Sequence, residues 1–130
     1  MRSSSFQKEF EDAFAEMEKA KKNKLLIIVE GKKDIMSLQR LGFTNVYEIS
    51  GPLFSFCERI AAVAPANDSG GVCLLTDFDA KGKELYGHLS RNLSRLGVRI
   101  DDSLRNALSR LPVSHIEGLA GFMEKHALKR

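Results

Sequence analysis

Lys24-Leu25-Leu26-Ile27-Ile28-Val29-Glu30-Gly31-Lys32-Lys33-Asp34 is the stretch on which the fold turns. Its apolar, β-compatible residues run on without alternation, the pattern of a strand buried on both faces of a parallel sheet. Gly31 permits a sharp exit from that strand. Ile35, Leu38 and Leu41 then recur at helical spacing, Gly42 follows as the closing residue, and residues 46–49 read as a second strand before Ser50-Gly51-Pro52. This is a βαβ unit, and a parallel sheet follows from it.

The same alternation continues to the end of the chain. A helix over 53–64 carries Phe56, Ile60 and Val63 and stops at Pro65, a loop spans 67–71, and residues 72–76 form a third strand. Leu85, Leu89, Leu93 and Leu96 mark a long helix ended by Gly97, after which 98–100 is a fourth strand. A short helix capped by Asp102 or Ser103 ends at Pro112, and Ser114 with Glu117 reads as a capping box for a last helix reaching about residue 128. At the other end Phe6, Phe10, Phe14 and Met17 lie on one helix face, with Ser4 and Gln7 as a capping box and lysines at the helix end. The expected architecture is α/β: a mostly parallel four-stranded sheet covered by helices. The amphipathic helix over 1–23 packs on a single domain over 24–130.

The composition agrees with one folded core. A chain of 130 residues with 43% hydrophobic and 28% charged residues is neither a disordered tail nor large enough for several domains. Its apolar runs are far shorter than the roughly 20 residues that cross a bilayer, and the amino end lacks the apolar region of a signal peptide. A cytoplasmic location is the expectation. Cys57 and Cys73 sit in apolar stretches with no Cys/His array, which argues for core residues and against zinc or a disulfide framework. A net charge of +3 and a pI near 9.0 are compatible with an acidic partner without demanding one. His88, His115 and His126 show no metal-ligand spacing, so no chemical role is assigned to them.

Two strands end in acid. The first leads into Glu30-Gly31-Lys32-Lys33-Asp34 and the third into Asp77-Phe78-Asp79-Ala80-Lys81-Gly82. Ligands of open parallel sheets bind beyond the carboxyl ends of the strands, and neighbouring strands lie about 4.8 Å apart. Adjacent strands would therefore bring Glu30, Asp77 and Asp79 into one small volume, with Asp77 and Asp79 on one side and Phe78 turned to the core. Carboxylates so close need a cation. A hard divalent ion, Mg²⁺ with Mn²⁺ as a substitute, suits so sparse a set of oxygen ligands. Gly82 would let a phosphate approach the start of the following helix. Asp34 and Asp79 also fit as helix caps, but capping one helix start requires only one acid.

A strand ending in Glu-Gly-x-x-Asp, followed by one ending in Asp-x-Asp with a glycine three residues beyond, resembles the Toprim domain. That domain is shared by topoisomerases, bacterial-type primases, RecR-like repair proteins and overcoming-lysogenization-defect nucleases. Glu30, Gly31, Asp34, Asp77, Asp79 and Gly82 match position by position, and the resemblance covers residues 24–100. Within the superfamily the chain is most similar to small stand-alone Toprim proteins, those of archaea and a ribonuclease that matures ribosomal RNA. The archaeal likeness extends through 77–85 to Arg105 and Ile116-Glu117-Gly118-Leu119. The resemblance implies that Asp77 and Asp79 hold Mg²⁺ and that Glu30 acts as general acid or base or as a further ligand.

A topoisomerase gate and nucleophilic tyrosine, or the zinc domain of a primase, do not fit in this chain. The leading expectation is a Mg²⁺-dependent nuclease, acting on RNA in preference to DNA, with Lys33, Lys81 and Arg105 gripping phosphate. A second reading is a non-catalytic accessory protein that clamps nucleic acid through a metal, with a protein partner docking on the Phe-rich first helix. A third is a phosphotransferase or phosphatase for a small metabolite, since only Phe54 and Tyr86 are placed to stack on a base. Glu117 is either a further metal ligand or, through Ser114, a cap.

Overall fold

The structure, a computed structural model, describes residues 2–64 and 71–127, with side chains from Ser5 onward. Its elements run α1 (Arg2–Lys22), β1 (Leu26–Val29), α2 (Lys32–Arg40), β2 (Val46–Glu48), α3 (Leu53–Val63), β3 (Val72–Leu74), α4 (Ala80–Arg95) and α5 (Ser103–Ser109). A 3-10 turn, Ile116–Gly118, leads into α6 (Leu119–Ala127). Most of the loop expected over 67–71 and the last residue of the final helix lie outside the described residues. The backbone is helical from Arg2, ahead of the expected Ser4–Gln7 capping box, and the Ser4 side chain lies outside the described residues.

The sheet is parallel with strand order β2-β1-β3, so β1 is central and the two acid-ended strands are neighbours. Ile28 lies opposite Tyr47 on one side and Leu74 on the other. The fourth strand is the main departure from expectation. Residues 98–100 touch the sheet through a single parallel bridge, Val72 to Ile100, flanked by Val72 N–H to Arg99 O and Asp101 N–H to Val72 O, each 2.9 Å. The segment is too short to pair further: Gly97 still belongs to the close of α4, and the Asp101 carboxylate accepts from Ser103 N–H to start α5.

The continuous apolar character of β1 is explained by two cores, one on each sheet face. Ile27 and Val29 pack with Cys73, Leu75 and residues of α1, α5 and α6; Leu26 and Ile28 pack with Leu74, Phe56, Cys57, Ile60, Leu89 and Leu93 from α3 and α4. Alternate residues of one strand thus serve opposite faces. The α1 helix lies on the first face through Phe10, Ala13, Met17 and Ala20, all buried. This stripe is rotated from the one read in the sequence, and Phe14 is left 44% exposed. Phe6 instead joins a ring cluster with Phe10, Phe122 and His126, its centroid 5.1 Å from the His126 ring. No helix among the described residues is long and apolar enough to cross a membrane.

Candidate metal centre

The site forms where β1 and β3 end. Glu30 leaves β1 and accepts, through Oε2, a hydrogen bond of 2.8 Å from the backbone N–H of Asp77. This contact joins the two acidic strand ends directly. Asp77 in turn accepts through Oδ1 from Ile116 N–H at 2.8 Å, and Asp79 accepts through Oδ1 from Gly82 N–H at 2.7 Å, capping α4. Each carboxylate is therefore anchored to a backbone amide through one oxygen, and the second oxygen of Asp79, Oδ2, faces the His115 ring.

Three side chains converge closely enough to share an ion. One ligand atom each from Asp77, Asp79 and His115 lies within 4.8 Å of the others, and Asp79 Oδ2 is 3.4 Å from His115 Nε2. His115 is the residue that sequence reasoning missed. It reaches the site because the segment before α6 docks on the end of β3: Phe78 N–H donates to Ser114 O at 2.8 Å, Ile116 and Leu119 are buried in the core, and Ala120 N–H donates to Ser37 Oγ of α2 at 2.9 Å. No local spacing signals such an approach. The Ser114–Glu117 capping box is not formed: the 3-10 turn has no side-chain cap, and Ser114 Oγ pairs with His115 Nδ1 at 2.9 Å.

Further negative charge surrounds these groups. Asp34, 7% exposed, sits in the first turn of α2 and accepts from Gly31 N–H at 3.0 Å. Burial first, and then the charges of Asp77, Glu30 and Glu117, push its carboxyl above the usual range, although the Gly31 amide opposes the shift. Glu117, though exposed, thus lies close enough to be felt at Asp34. So many carboxylates, three of them each held by one backbone amide, fit a divalent cation, which takes carboxylate oxygens as its ligands. That is the donor chemistry a metal of this kind requires.

Two expected phosphate-binding residues are placed otherwise. Arg105 is 8% exposed, and its guanidinium donates to the carbonyls of Leu74 (3.1 Å), Thr76 (2.7 Å) and Asp77 (3.4 Å). It lies between the Phe78 and Tyr86 rings, 4.8 Å from each centroid. Buried and turned onto the backbone that carries Asp77, it supports the site from beneath, where the sequence suggests a phosphate ligand. Gly82 is buried against the Asp77 backbone: a Cβ there would overlap the Asp77 carbonyl oxygen and come within 2.6 Å of its carbon. The glycine serves the close approach of α4 to the strand end, and the Asp79 carboxylate already takes its amide. Gly31 has ordinary extended dihedrals, φ −154° and ψ 178°, so the turn does not require it. Lys32, Lys33, Lys81 and Lys83 stay exposed in the first turns of α2 and α4, outside the ion pairs among the described residues.

Comparison with known proteins agrees with this geometry. The family model described as the Toprim domain matches residues 24–102. A UPF0292 protein of Methanosarcina acetivorans is 32% identical over 120 residues, covering 88% of this chain and 80% of the relative. One from Archaeoglobus fulgidus is 31% identical over 121 residues, covering 91% and 92%. The solved structure of a putative protein from Aquifex aeolicus superposes with a TM-score of 0.67 at 28% identity, over 82% of this chain and 94% of that one. A Toprim domain with this acidic cluster points to a metal-binding, nucleic-acid-related function. The chain belongs to the Toprim domain family, together with small archaeal relatives.

Proposed function

We propose that this protein is a Mg²⁺-dependent nuclease that hydrolyses phosphodiester bonds, with RNA as the preferred substrate. The observation that carries the reading is the set of half-anchored carboxylates: Glu30, Asp77 and Asp79 each fix one oxygen on a backbone amide, those of Asp77, Ile116 and Gly82 respectively. Such preorganisation is what charge stabilisation in a phosphoryl reaction needs. Asp77 and Asp79 would hold the ion. When bound, it neutralises phosphate charge and favours ionisation of attacking water. Glu30, its Oε2 tied to Asp77 N–H, is oriented to exchange a proton through Oε1 with water or the leaving oxygen. Lys33 and Lys81, at the mouths of the two acidic turns, supply mobile positive charge for the substrate backbone.

The test is cleavage of a panel of structured RNA, single-stranded RNA and DNA with Mg²⁺ or Mn²⁺, comparing wild type with Glu30→Gln and Asp77→Asn. Asparagine keeps an oxygen for Ile116 N–H, so the fold survives and metal-dependent cleavage is lost. Undiminished cleavage by Asp77→Asn overturns the mechanism. Metal-dependent nucleic-acid binding without turnover would transfer the assignment to an accessory clamp.

A further inference from the structure

We propose that His115 is a nitrogen ligand of the metal held by Asp77 and Asp79, and that its ring raises the site's affinity for a first-row transition dication, with Mn²⁺ as the probe, relative to Mg²⁺. The proposal rests on the reading above that these aspartates bind a divalent ion, and it concerns which ion.

The separation between His115 Nε2 and Asp79 Oδ2 is the first reason. At 3.4 Å the pair is too long for a good hydrogen bond, yet close to the spacing of two donors that share an ion. Donors at right angles and about 2.1 Å from a metal stand about 3 Å apart. As a plain ion pair the contact would contribute little, since the two side chains are 53% and 45% exposed.

The second reason is the other ring nitrogen. Nδ1 lies 2.9 Å from Ser114 Oγ. With the proton on Nδ1 the ring donates to that hydroxyl and turns the Nε2 lone pair toward the aspartates, the arrangement by which metal-bound histidines are usually held. Both residues next to His115 are clamped to the same acidic turn. Ser114 O accepts from Phe78 N–H, and Ile116 N–H donates to Asp77 Oδ1, each at 2.8 Å. The backbone that carries the imidazole and the backbone that carries the carboxylates therefore form one rigid unit.

The selectivity follows from ligand chemistry. Carboxylate, carbonyl and water oxygens satisfy Mg²⁺, whereas an imidazole strengthens binding along the transition series and does little for Mg²⁺. Removing the ring should thus weaken Mn²⁺ selectively.

The experiment is calorimetric titration of the full chain with Mn²⁺ and with Mg²⁺, for wild type, His115→Gln, His115→Ala and Asp77→Asn. Pulsed electron paramagnetic resonance of the Mn²⁺-loaded proteins accompanies it. The expected result is a loss of Mn²⁺ affinity of about tenfold or more in both His115 variants, with Mg²⁺ affinity within about threefold of wild type. Nitrogen modulation of the Mn²⁺ echo should be present in wild type and absent in His115→Gln. An unchanged Mn²⁺/Mg²⁺ affinity ratio without nitrogen modulation overturns the role of His115. If Asp77→Asn still loses both metals in that case, the aspartate site stands. Failure of wild type to bind either ion refutes both.

Discussion

Gly82→Ala separates tertiary from local reasoning because the two predict opposite signs. In a helix, alanine is better than glycine by up to about 1 kcal/mol, so α4 considered alone should gain stability. In the fold, the added Cβ would overlap the Asp77 carbonyl oxygen and lie 2.6 Å and 2.9 Å from the Asp77 carbon and nitrogen. These are backbone atoms of a strand end fixed by Arg105 and Glu30, and they cannot swing aside as a flexible side chain would. Overpacking of this kind costs roughly 1–3 kcal/mol. Displacing α4 also weakens the Asp79 cap at Gly82 N–H and the buried Thr76 Oγ1 to Gly82 O hydrogen bond of 2.7 Å, each contributing about 1 kcal/mol. After the helix-propensity gain the net loss is about 2–4 kcal/mol, which for a chain of this size lowers Tm by roughly 7–14 °C. Thermal unfolding followed by circular dichroism provides the assay. Metal titration should show weaker binding, because Asp77 and Asp79 move with the turn. The control is Gly31→Ala, whose Cβ would meet nothing within 4 Å and which should leave stability within about 0.5 kcal/mol. A Gly82→Ala protein as stable as wild type would refute the packing argument.

Arg105→Lys should lower stability by about 2–3 kcal/mol in chemical denaturation, since a lysine cannot satisfy the Leu74, Thr76 and Asp77 carbonyls together, yet leave the salt dependence of nucleic-acid binding as in wild type. Lys33→Gln and Lys81→Gln should do the reverse, each reducing the salt slope by about 1 with little change in Tm. Asp34→Asn should stabilise the metal-free protein at neutral pH while keeping an acceptor for Gly31 N–H. Because the folded-state pKa of Asp34 is raised, the wild-type protein loses stability as pH climbs from the ordinary carboxylate range to that raised value, and the variant should lose less over the same window. Denaturant midpoints from pH 3 to 7 check this, and parallel curves would contradict it. In a Tyr47→Phe protein the remaining phenol, Tyr86, should ionise at about 12 in an absorbance titration, held up by burial and its 2.7 Å hydrogen bond to Asp102. Stability then falls as pH rises from the usual tyrosine value toward 12.

Much of the fold and of the acidic site is legible locally. The unbroken apolar run of β1 encodes burial on two faces, and both faces are found filled. Glu30, Asp77 and Asp79 are legible because strand ends are where a parallel sheet gathers ligands, and the adjacency of β1 and β3 brings them together. The buried α1 stripe is rotated from the one the phenylalanine spacing suggests, because Phe6, Phe10 and Phe14 share the helical period with Phe10, Ala13 and Met17, and periodicity does not favour the larger residues for burial. The triplet 98–100 pairs through one bridge alone, since a β-compatible triplet carries no information about how much partner it will find.

Residue pattern alone determined the α/β class, the burial of β1 on both faces and the presence of acids at two strand ends, since each depends on neighbours a few positions away along the chain. Tertiary contact decided the rest. His115 joins the aspartates through a segment whose Ile116 amide binds Asp77 across 39 residues of chain. Arg105 turns inward to three carbonyls, where its sequence suggested a phosphate ligand, and Gly82 is small because a strand end passes against it. In each case the controlling partner is distant in sequence and close only after docking, and hydrophobic periodicity reports that a face is buried without saying against what.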